Sequence, residues 1–164
     1  MKKHTLIVAI VSLMMLSAHA QQFDLSAELR PRYENKHGYQ SLIEKDADGS
    51  NFISQRTRLN FGFKNEKLKL KVVMQNVRVW GDVSTLASDD KATALHEAWA
   101  TYILNNKVSF KLGRQEIVYD DHRIFGDVGW SQQARSHDAF LFKYAPNAKN
   151  ILDVGFSLKC WLIQ

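Results

Sequence analysis

The chain has 164 residues, of which 24% are charged and 45% hydrophobic, with a formal charge of +5 and one cysteine, Cys160. A lone cysteine closes no internal disulfide, which excludes a disulfide scaffold, and a mild charge without a concentrated basic block argues against a nucleic-acid partner. Two prolines and eight glycines make no long linker, so one domain is expected after any targeting segment.

In chain order, Lys2 and Lys3 precede an apolar run from Leu6 to Leu16 and then Ser17-Ala18-His19-Ala20. That order is a secretory signal peptide over residues 1–20, cleaved after Ala20. The run is shorter than the roughly 20 apolar residues of a membrane-spanning helix. Cleavage removes two lysines and no acid, so the charge falls from +5 to +3. No later stretch is long and apolar enough for a spanning helix; residues 21–164 can enter a membrane only as strands, since helices and closed barrels alone satisfy every backbone group in lipid.

The first mature segment alternates cleanly. Phe23, Leu25, Ala27, Leu29, Pro31 and Tyr33 share one face, and Asp24, Ser26, Glu28, Arg30, Arg32 and Glu34 the other, which is the period of a strand. Eleven residues extend about 36 Å, or about 25 Å in height at a tilt near 45°, enough to cross a bilayer, with Phe23 and Tyr33 where aromatic girdles stand.

Residues 35–50 form a long polar loop; Asp46-Ala47-Asp48-Gly49 suggests a calcium loop, but its glycine comes too early for an EF-hand, and no metal or other cofactor is assigned. A second strand over 53–63 and a third over 68–80 follow, joined by a short turn at 64–67. Alternation in the third blurs after Asn76. A loop covers 81–91. Residues 95–104 fit neither the helical nor the strand period, and 108–115 is a better strand. The segment from Tyr119 to Ser131, with Asp120, Asp121, His122, Arg123, Asp127 and Trp130, reads first as a solvated loop and second as an inward constriction or calcium site. Strands over 135–144 and 151–159 close the list. Long and short connections alternate after the early strands, as extracellular loops and periplasmic turns do.

Period two does not distinguish inside from outside, so a soluble secreted β-barrel binding protein is a competing reading. Bilayer-length strands, aromatics at strand ends and arginines repeated on the polar face favour a transmembrane β-barrel.

From Val108 the chain reads VSFKLGRQEIVYDDHRIFGDVGWSQQARSHDAFLFKY. This resembles the bacterial alginate-export porins, on Gly113-Arg114-Gln115-Glu116, Arg123-Ile124-Phe125-Gly126, Trp130 and Ala134-Arg135-Ser136-His137-Asp138-Ala139. Glu28-Leu29-Arg30-Pro31-Arg32-Tyr33-Glu34, Arg56-Thr57-Arg58 and Val77-Arg78-Val79-Trp80-Gly81 add upstream support. His137-Asp138 replaces the aromatic-Asp pair expected there. The resemblance implies a large antiparallel barrel in the outer membrane, an arginine-rich lumen, and partners comprising outer-membrane lipid, an anionic sugar or polysaccharide, and periplasmic export or assembly machinery.

With apolar residues facing lipid, Arg30, Arg32, Arg56 and Arg58 project into the lumen as stacked guanidinium pairs, and Arg78, Arg114, Arg123 and Arg135 are further candidates. Guanidinium binds carboxylate bidentately and keeps its charge at any relevant pH, so rungs of arginine suit the passage of a uronate-containing chain. The alternative use of the same arginines is to neutralise Asp24, Glu28, Glu34, Glu116 and Asp138. No Gly-x-Ser-x-Gly or His-Glu-x-x-His motif is present, and the chain is read as no enzyme. A water-filled porin needs roughly 16–18 strands against about seven here, and Cys160-Trp161-Leu162-Ile163-Gln164 breaks the alternation, so the expectation is the N-terminal portion of a larger barrel. A small closed barrel with an adhesin or structural role is the alternative.

Overall fold

A computed structural model describes residues 21–38, 42–87, 89 and 91–157. The predicted signal peptide and the tail from Cys160 to Gln164 lie outside the described residues. Seven strands are present: β1 (Gln22–Lys36), β2 (Ser50–Lys64), β3 (Leu68–Val79), β4 (Thr93–Asn105), β5 (Val108–Gln115), β6 (His137–Tyr144) and β7 (Leu152–Ser157). Each is antiparallel to the next, in one sheet whose spatial order is the chain order. The architecture is the all-β antiparallel one expected, here as an open arc. Arg135 and Ser136, predicted within a strand, precede β6 instead.

The connections alternate as the sequence implies, and one chemistry builds the short ones. In each, an asparagine side-chain carboxamide oxygen accepts two successive backbone N–H groups: Asn65 from Lys67 and Leu68, Asn105 from Lys107 and Val108, and Asn147 from Lys149 and Asn150. Such Asx turns close a chain reversal without needing a long loop. All three carry the pattern Asn-x-Lys. Connections on the other edge, after β1, β3 and β5, are long.

Pairing fixes the two faces. Leu25 stands opposite Phe61, Leu59 opposite Met74, and Phe140 opposite Phe156; all are exposed except Phe140, which is partly covered. Towards the short-turn edge this face is aromatic: Phe23 lies 5.0 Å from Phe63, and Phe110 lies 5.5 Å from Phe142. Burial favours the other face. Ser54, Arg56, Gln75, His96, Glu97 and Gln115 are buried there, whereas Val73, Ile117 and Ala139 are the only buried hydrophobic residues among those described. A water-soluble β-domain hides its apolar face and solvates its polar one; this sheet does the reverse, as a barrel facing lipid does.

The ambiguous residues 95–104 fall in β4, and a bulge explains their lost period. Val73 pairs with Glu97 but Met74 with Leu95, leaving His96 as an extra residue. His96 and Glu97 are consecutive and both buried, while Leu95 is exposed. One inserted residue re-aims the strand.

Gly113 adopts φ +122°, and a Cβ there would collide with the Ala98 carbonyl oxygen. Gly113→Ala should therefore lose about 1–3 kcal/mol through backbone strain, read as a lower urea midpoint for the chain folded in detergent.

Candidate functional site

The polar face gathers ten strand cations: Arg30, Arg32 and Lys36 of β1, Arg56, Arg58 and Lys64 of β2, Lys69 and Lys71 of β3, Lys111 of β5 and Lys143 of β6. Five strand carboxylates share it, those of Asp24, Glu28, Glu34, Glu97 and Asp153. The excess is positive, so the question is which cations are already engaged.

The arginines are. Residues 116–136, which join β5 to β6, fold across this face as a strap reaching β1. Arg30 donates from Nη1 to Gly129 O at 2.8 Å and from Nη2 to Ser131 O at 2.8 Å. Arg32 donates to Trp130 O at 2.9 Å, and Arg56 to Gly129 O and Ser131 O at 3.2 and 3.3 Å. Gln75 donates to Gln133 O, and Gln132 to Arg78 O. The later part of the segment therefore folds inward over the polar face, while residues 120–125 stay exposed, as a solvated loop would. Guanidinium is apt because its planar fork reaches two carbonyls at once.

Within the strap, Asp120, His122, Val128 and Ala134 all have positive φ. For β-branched Val128, at φ +51°, this is a costly conformation that the surrounding bonds must hold. Asp127 helps: partial burial acts to raise its carboxyl pKa, but the Gly129 N–H and His122 outweigh that and hold it below the ordinary carboxylate value. The stabilisation is therefore complete above the unfolded value near ~4 and fades as pH falls through the lower folded value. Acidification should loosen the strap, measured as faster proteolysis there, and Asp127→Asn should flatten that acid response.

Below the strap the charges interlock. Arg56 donates from Nε and Nη2 to Glu28 Oε1 at 2.9 and 2.8 Å. Arg58 donates to Gln75 Oε1 at 2.7 Å and faces Glu116 at 3.9 Å, and Glu116 meets His96 at 2.8 Å. Glu97 pairs with Lys71 and accepts from Trp99 Nε1 at 2.8 Å. Arg32 pairs with Glu34 at 2.9 Å.

The other named arginines are dispersed. Arg78 pairs in register with Gln55, on the face of Pro31 and Met74, and bonds Asn76. Arg114 pairs with Ala98 and Asp138 on the same apolar-bearing face, with a 2.9 Å salt bridge to Asp138. Neither side chain joins the polar-face set. Arg123 is exposed on the strap beside Asp121, and Arg135 is exposed before β6. Of the predicted eight, the structure brings together Arg30, Arg32, Arg56 and Arg58. Of the five carboxylates named as their alternative partners, Glu28, Glu34, Glu116 and Asp138 are in ion pairs with arginine.

Lysines were overlooked as site residues. Lys69 pairs with Thr101, which pairs with Lys111; Lys64 pairs with Lys69. The three make one transverse row on the polar face at the short-turn edge. Parity with Lys71 and Gln75 was the signal available. Among the described residues no cluster of three or more His, Cys, Asp or Glu side chains is arranged for a metal.

Lipid-facing strands, girdle aromatics and a polar, charged inner face define the wall of a transmembrane β-barrel. The alginate export family matches residues 21–154, and the chain belongs to that family. It is an outer-membrane transport family rather than an enzymatic one, and its members form export channels. No curated protein matches the chain, and no solved structure does.

Proposed function

We propose that this wall serves a channel for anionic solutes, in particular sugar chains carrying a carboxylate on each residue. The observation that carries the reading is the polar face itself, where ten strand cations outnumber five carboxylates. Paired arginines contribute by setting the field and narrowing the passage through the strap, while weak, repeated cation contacts let a polyanion move without a deep trap. Charged, hydrogen-bonding walls suit hydrated sugars better than an apolar lumen would.

The test is calorimetric titration of the chain folded in detergent with a uronate oligomer and with a neutral oligosaccharide of equal length. At low salt the charged oligomer should bind at least about tenfold tighter, and the difference should shrink as ionic strength rises toward 1 M, where the screening length falls to about 3 Å. Equal affinity for both would remove the anionic assignment.

A further inference from the structure

Two clefts on the polar face, of about 320 and 330 Å³, share Lys69 and Trp99 in their linings. The first also takes in Lys111 and the second Lys64. Trp99 thus stands between the clefts, one step along the strands from the lysine row, since it pairs with Lys71 while Thr101 pairs with Lys69. Its ring is fixed at its edge and on one face: Nε1 donates to buried Glu97, and Lys111 Nζ sits 4.0 Å from the ring centroid.

The row differs from the arginines in one decisive respect. Arg30, Arg32, Arg56 and Arg58 are spent on strap carbonyls, amides and carboxylates, whereas Lys64, Lys69 and Lys111 form no ion pair among the described residues. Glu116 and Asp153 also line the first cleft, but His96 and Arg58 face the one and Lys143 the other; Asp24 lines the second, so the three lysines of the row outnumber the one carboxylate there that has no ion-pair partner among the described residues. Beyond the row, the Asn-x-Lys turns place exposed Lys67, Lys107 and Lys149 around the same edge. Positive charge graded toward one mouth concentrates polyanions there.

We infer that Lys64, Lys69 and Lys111 with Trp99 form the capture site of the channel, binding the carboxylates of an anionic sugar chain by the ammonium groups and the face of a sugar ring by the indole, at the short-turn mouth. This rests on the anionic-solute reading above and assigns the contact to lysines where that reading left it open among all cations. The arginines are positioning residues for the strap. Lysine suits a capture site because its ammonium is a compact point charge on a flexible stem: Lys64 and Lys69 can follow a moving carboxylate, while Lys111, held over the Trp99 ring, anchors the end of the row.

The experiment uses the full chain folded in detergent micelles and a uronate tetramer, titrated calorimetrically at low salt. Lys64→Gln, Lys69→Gln and Lys111→Gln combined should weaken binding about 30-fold or more, and Trp99→Phe alone about threefold to tenfold. The corresponding triple arginine variant keeps the charge and should bind within about threefold of the parent, which separates loss of contact from misfolding. Unchanged affinity in the triple glutamine variant overturns the lysine assignment and leaves the anionic reading standing. A parent chain that fails to bind the tetramer overturns both.

Discussion

Leu59→Arg should cost about 2–4 kcal/mol of folding free energy in phospholipid vesicles, measured by urea titration. Leu59 lies midway along β2, 47% exposed, between Ala27 on β1 and Met74 on β3. In a soluble protein so exposed a leucine would accept arginine within about 0.5 kcal/mol. The penalty arises only where the neighbouring medium is hydrocarbon and the guanidinium loses its hydration. Asn60→Arg, one residue on and facing the lumen, is the matched control and should be nearly neutral. Equal, small effects at both positions would mean that the apolar face meets water.

The second large effect concerns the strap. Removing Arg30 and Arg56 together, as alanines, takes away the side-chain donors to Gly129 O and Ser131 O. Hydrogen bonds to a charged donor contribute roughly 1.5–3 kcal/mol each, so the opening equilibrium of the strap should rise at least about 100-fold. Amide hydrogen exchange over residues 127–135 is the direct readout. Arg56→Ala also strands Glu28, half-buried against it, which makes the single variant the more damaging of the two to the wall. Arg30→Lys should not restore protection, because one ammonium cannot span two carbonyls as the fork does. Exchange that stays slow in the double variant would show that bonds inside the strap, such as Arg135 N–H to Asp127 O, suffice to hold it.

How much of this was readable in the sequence follows from range. Strands β1 and β2 were legible because each makes a two-faced pattern out of neighbours, and the pleat alone converts that pattern into an inside and an outside. The same parity places Arg114 with Phe110 and Leu112, away from the polar-face set. β4 was illegible because the extra residue at His96 shifts parity in mid-strand. The fate of the arginines was hidden for a different reason. Their acceptors are backbone carbonyls 73 to 101 residues away, and a carbonyl has no signature in the amino-acid code.

The bulge in β4 has a consequence for pairing fidelity. A sheet of strictly alternating strands can slide by two residues and keep every apolar side chain outward, so hydrophobicity alone leaves its alignment degenerate. The extra residue at His96 breaks that degeneracy. A slipped β4 would carry the kink away from the place where Glu97 meets Lys71 and Trp99, leaving a carboxylate without its partners. Insertion can therefore proofread: a misaligned strand is penalised at one position, even though its outward face looks correct to the lipid.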